Sequence, residues 1–200
     1  MRRFLWISLS LVLALAGWST VGAEDGFYVI PSMKVVPKTG QTVTSGTRDD
    51  GYLKRGVAWP TPRFTDNLNG TVTDNLTRLI WMKNASNVGA VGFGVKTWAD
   101  ALSAANNLKS GDAGLTDGSQ AGDWRLPNLR ELQSLVDYGS RTPALPADHP
   151  FTGVVMSHYW SSTAKFGNTF WAWGVYFDDG HVWDLFKDDN NYVLCVRGGP

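Results

Sequence analysis

Cysteine is almost missing from this chain: among 200 residues, Cys195 stands alone. One thiol cannot close an intramolecular disulfide, and it cannot build a cysteine-based zinc site or an iron–sulfur cluster. Charge is also scarce, with Asp, Glu, Lys and Arg at 18% against roughly 25% in an average soluble domain. The 18 basic and 18 acidic residues cancel, so neither nucleic acid nor an anionic membrane is an expected partner. Long hydrophobic runs are lacking too. The apolar run Phe4–Gly17 falls short of the roughly 20 residues that span a bilayer, and Ser8 and Ser10 interrupt it.

What is present at the start of the chain is an address. Arg2 and Arg3 precede that apolar run, and Val21-Gly22-Ala23 supplies a small-residue cleavage site, so residues 1–23 read as a signal peptide. Without a cysteine near its end, a lipoprotein anchor is not expected, nor is a transmembrane anchor after cleavage. The protein is expected to be exported, either to the periplasm or to the cell surface and beyond. Residues 24–200 then fit one domain, large enough to bury about 70% of its unfolded surface and so to be stable without disulfides.

Glycine and tryptophan are plentiful, at 22 and 10 residues. Residues 24–62 carry Pro31, Pro37, Pro60 and Pro62 with few apolar residues between them, and read as an extended lead-in. Residues 63–200 read as the domain proper. Asn69-Gly70 sits between short alternating runs, which predicts a hairpin, and Arg78–Met82 follows as a third strand. Thr97 with Asp100 caps a helix that runs to Gly111, with Trp98, Ala101, Leu102, Ala105 and Leu108 at helical spacing. Asn128 with Glu131 caps a second helix that ends before Gly139. Residues 170–177, 181–187 and 192–197 return to strands. Strands in two groups with two one-sided helices between them define an α+β chain.

Taking Asp179-Gly180 as a two-residue turn pairs Phe177 with Val182, Val175 with Asp184 and Trp173 with Phe186 on an apolar face. Tyr176 with Trp183, Gly174 with Leu185, Ala172 with Lys187 and Asp178 with His181 then share the other face. That second face mixes flat aromatics with polar groups, as a ligand surface would.

Five stretches, Phe64–Trp81, Thr97–Asp100, Asp123–Leu132, Tyr159–Thr163 and Val196–Gly199, occur in this order, and together they resemble the Lcl (Legionella collagen-like) C-terminal domain family over about residues 60–200. The resemblance implies a variant C-type lectin-like fold: a mixed, mainly antiparallel sheet, two helices and long loops. It also implies a bacterial surface adhesin that binds sulfated glycans and can trimerise. The WRLPN and VRGG elements are similar to those of the formylglycine-generating enzymes as well. That chemistry needs a cysteine pair, which Cys195 alone does not provide. Many relatives carry two cysteines where this chain has Asn87 and Ala113.

The stretch Asp123, Trp124, Arg125, Leu126, Pro127, Asn128 is explained structurally: Trp124 and Leu126 anchor a strand end, Asn128 caps a helix, and Arg125 and Glu131 bond to backbone or to each other. Around Gly70 an EF-hand loop fails, because Thr65 and Leu76 would occupy its first and last positions. A calcium site built from separated loops would draw on Asp178, Asp179, Asp188, Asp189 and Asn190, which are equally ordinary turn residues; no other cofactor is expected. His149, His158 and His181 match no metal spacing, and Ser157, Ser161 and Ser162 sit in no nucleophile elbow, so no catalytic residue is expected. Trp81, Trp98, Trp124, Trp160, Trp171 and Trp173 are assigned to the core. The ligand surface is expected at Tyr176, Asp178, His181, Trp183, Lys187, Asp188, Asp189 and Asn190, serving a glycan or a surface protein; alternatively the same face serves oligomerisation or a partner in the envelope.

Overall fold

A computed structural model describes residues 36–85 and 94–198. The expected signal peptide and Asn87 lie outside these residues. Those described fall within one compact unit, Lys34–Pro200.

The lead-in is less plain than its composition predicts. Asp49 accepts from the Tyr52 backbone N–H and starts a short helix α1, Asp50–Leu53. Pro37 bridges Val57, the Trp59 indole donates to the Lys38 carbonyl at 3.1 Å, and the Tyr138 N–H donates to the Thr39 carbonyl at 2.9 Å. The segment is thereby tied to the loop beyond the last helix.

Two sheets follow, where one was expected. The first has the order β1-β2-β3-β9, with β1 Phe64–Asp66, β2 Thr71–Asp74, β3 Ile80–Met82 and β9 Val196–Arg197. The expected hairpin forms, but its turn is one residue longer than Asn69-Gly70. Asp66 pairs with Val72 and the Asn67 N–H donates to the Thr71 carbonyl, so Leu68 and Gly70, not Asn69, take positive φ. Thr-Asp-Asn-Leu occurs at 65–68 and again at 73–76, and the repeat has a local cause. Asp66 accepts from the Leu68 N–H at 3.0 Å and Asp74 from the Leu76 N–H at 2.8 Å, the same side-chain turn used twice.

The second sheet has the order β4-β8-β5-β6-β7, with β4 Val95–Lys96, β5 His158–Ala164, β6 Trp171–Tyr176, β7 Val182–Phe186 and β8 Asn191–Tyr192. All its pairs are antiparallel except β5 with β8. The C-terminal strand expected over 192–197 is split: β8 joins the second sheet and β9 the first, so the segment between them stitches the sheets together. Consecutive residues Tyr159, Trp160 and Ser161 are all fully buried, which requires cover on both faces of β5.

Helix α2, Trp98–Asn107, is capped by Thr97, whose hydroxyl accepts from the Asp100 N–H. Helix α3, Leu129–Ser134, has a full capping box between Asn128 and Glu131. The Trp98 indole donates to the Ser161 carbonyl at 2.8 Å, fixing α2 to β5. Pro127 and Thr163 fix α3: the Ser162 N–H donates to the Pro127 carbonyl at 2.7 Å, and the Leu129 N–H to the Thr163 hydroxyl at 3.0 Å. Trp81, Trp124 and Trp160 are wholly buried and Trp98 packs against the core. Trp171 and Trp173, in contrast, are only half-buried.

Candidate functional site

The β6–β7 hairpin is built with a register two residues away from the expected one. Val175 pairs with Val182, Gly174 with Trp183 and Ala172 with Leu185. The reason is the turn. Gly180 N–H donates to the Tyr176 carbonyl at 2.8 Å and Tyr176 N–H to the His181 carbonyl at 2.9 Å, so four residues, 177–180, form the loop. A slip of two keeps every side chain on its face; the partners change, and Tyr176 now stands beside His181.

Cover, however, divides each face along its length. On the Tyr176 face, Ala172 and Leu185 are buried and Gly174 leaves no room, since a Cβ there would lie 2.5 Å from the Leu185 Cδ1 and 2.7 Å from the Tyr159 carbonyl oxygen. Only the tip end is open. There Trp183 is 57% exposed. The rings of His158 on β5 and Tyr176 on β6 are 4.7 Å apart, Tyr176 and His181 are 4.9 Å apart, and His181 meets Trp183 edge-on at 5.8 Å. Four rings thus form a row across three strands, and His158 was missing from the sequence-based surface.

The row is held firmly. Asp179 Oδ1 accepts from the His181 N–H at 3.2 Å and lies 2.6 Å from its Nδ1. These bonds, the backbone one foremost, hold the Asp179 carboxyl below its usual range. Asp178 turns away from the row: its carboxylate accepts from Arg141 Nη2 at 3.1 Å and from the Thr142 hydroxyl at 2.8 Å. These bonds anchor the tip.

The remaining expected ligand residues do not join the row. Lys187, Asp188, Asp189 and Asn190 lie past the far end of β7, roughly 16 Å of strand away at ~3.3 Å per residue. Lys187 Nζ sits 4.1 Å over the Trp98 ring, while Asp188, Asp189 and Asn190 are an exposed turn. The carboxylates proposed for calcium are therefore divided between two ends of a strand. Among the described residues no group of three or more His, Cys, Asp or Glu side chains is placed to hold a metal ion.

Of the stretches singled out in the sequence, Asp123–Leu132 and Tyr159–Thr163 form scaffold together with Val196 and Arg197. Arg125 exchanges backbone bonds with Val196 at 3.0 and 2.9 Å, and the Arg197 guanidinium lies 5.2 Å from the Trp124 ring centroid. The Trp124 indole donates to Ser119 Oγ at 2.9 Å, and Asp123 accepts from the Gln120 N–H at 2.8 Å. Arg125 and Glu131 bond to each other through two N–H···O contacts of 2.7 and 2.6 Å. Burial works against ionisation of Glu131, but the Arg125 and Asn128 donors outweigh it and lower its pKa. The hydroxyls of Ser161 and Ser162 donate to the carbonyls of Trp173 and Pro127. Cys195 is fully buried, and that burial pushes its thiol far above the ordinary value, away from reactive thiolate.

Residues 70–197 match the Lcl C-terminal domain family, and the chain belongs to it. Membership is consistent with a non-catalytic surface or binding module. A comparison with curated proteins found no match. Among the described residues no helix is long and apolar enough to cross a membrane.

Proposed function

We propose that this is an exported, non-catalytic binding module on a C-type lectin-like scaffold, recognising a glycan or another surface molecule through the open row at the hairpin tip. Residues 1–23 would direct export, to the periplasm or the cell surface. The observation that carries the reading is the row itself: His158, Tyr176, His181 and Trp183 side by side on a braced sheet end, with the Asp179 carboxylate next to them. Flat rings stack on the C–H face of a sugar, and imidazole and carboxylate groups bond its hydroxyls. Among the described residues, Arg141 beside the tip is paired with Asp178, which argues for a weakly charged ligand.

The test is the pair Tyr176→Ala with Trp183→Ala. Retention on immobilised glycan should be lost while sedimentation is unchanged. Dissociation of oligomers by the same pair, with no glycan retained by the unaltered chain, would instead assign the tip to subunit or partner contacts in the envelope.

A further inference from the structure

The opposite face of the β6–β7 hairpin is partly uncovered at its other end, where Trp171, Trp173, Asp184 and Phe186 are half-buried, and it carries a second set of rings. Trp171 and Trp173 share that face of β6, about 6.6 Å apart along the strand at ~3.3 Å per residue. Phe186 stands edge-on to Trp171 at 5.7 Å, and Phe170, itself exposed, stacks on Phe186 at 6.4 Å. The indoles are thus buttressed and half-buried. Beside them Lys165 is bonded to Asp184, and its Nζ lies 5.8 Å from the Trp173 ring centroid. That distance is near the outer limit of a cation–π contact, longer than the 4.1 Å of Lys187 over Trp98.

We propose that Trp171 and Trp173, with Phe186, Lys165 and Asp184, form a second binding site, one that takes a neutral saccharide chain. It rests on the glycan reading of the tip for its ligand class. Two indoles on alternate residues of one strand are spaced for consecutive rings of an extended chain, each stacking on a C–H face. The ammonium donates to ring hydroxyls and the carboxylate accepts from them. Because Lys165 and Asp184 neutralise each other, the pair gives no net attraction to an anionic chain. A neutral polyol fits that balance better. The tip row and this platform lie on opposite faces and are open at opposite ends, so one molecule would hold two chains at once.

The experiment uses the chain carrying Tyr176→Ala and Trp183→Ala, titrated calorimetrically with neutral β-1,4-linked glucan and xylan hexasaccharides. Binding should persist in this variant. It should weaken about tenfold when Trp173→Ala is added, the scale of one lost aromatic contact, and severalfold with Lys165→Ala and Asp184→Ala, which leave the rings in place should Trp173→Ala fail to fold. No binding of either hexasaccharide by the unaltered chain overturns the proposal, as does an affinity that Trp173→Ala leaves within about twofold. A change in sedimentation of the unliganded chain caused by Trp173→Ala would overturn it in favour of a contact between copies. Loss of all binding through the tip substitutions alone would remove the platform and leave the tip; binding lost only through Trp173→Ala would remove the tip and leave the platform.

Discussion

His158 and Tyr176, eighteen positions apart in the chain, face each other across β5 and β6 with ring centroids 4.7 Å apart. Their contact closes the tip row on one side, as Trp183 closes it on the other. The His158 imidazole brings a proton-sensitive group into the row.

Burial holds the His158 pKa below the ordinary 6.5, the nearby His181 pushes it the same way, and Asp179 opposes them. His149 is likewise depressed, chiefly by burial. A base with a lowered folded pKa takes its proton more readily in the unfolded chain. Its contribution to stability is therefore complete above the unfolded value and is lost as pH falls through it, levelling off below the folded value. Tm should drop between about pH 7 and pH 5, and His158→Gln should reduce the drop. Melting curves across that range check this; an unchanging Tm would contradict it.

Arg63 and Asp74 form an ion pair at 2.9 Å with side chains 3% and 0% exposed. Arg63 also donates to the Ser134 carbonyl at 2.9 Å, and Asp74 accepts from the Leu76 N–H and the Thr77 hydroxyl. Removing one partner strands a buried charge, so Arg63→Met should cost roughly 3–5 kcal/mol. Adding Asp74→Leu should recover part of that loss. Urea unfolding of the singles and the double measures it; additive losses would deny the coupling.

The Asn128 cap should matter more than the ion pair beside it. Asn128→Ala removes a side chain that accepts from the Glu131 N–H at 2.9 Å, a loss of about 1 kcal/mol. Arg125 is 45% exposed, and solvent screening holds the loss from Arg125→Ala to about 0.5 kcal/mol. Neither should alter ligand retention. A binding defect in either, without loss of stability, would place this stretch in the site.

These residues also mark what could be read from sequence. Helices α2 and α3 were legible because Thr97 and Asn128 announce them within four residues and periodicity confirms them. The hairpin faces were legible because a slip of two preserves them, although the loop bonds of Gly180 and Tyr176 set a register no local pattern gives. Trp171 and Trp173 were misassigned to the core, because apolar alternation marks a face and says nothing of how far along the strand that face is covered. His158 was invisible for another reason: its partners lie on strands 18 and more residues onward. The buried Arg63–Asp74 pair likewise depends on pairing between β1 and β2 and carries no local signature.

The central claim is that Trp183 touches ligand. Its most direct test follows indole N–H resonances while the best glycan from an array is titrated into the chain. The Trp183 signal should shift and saturate, while those of Trp81 and Trp124, both wholly buried, stay in place. Saturable binding with the Trp183 signal unmoved would contradict the account.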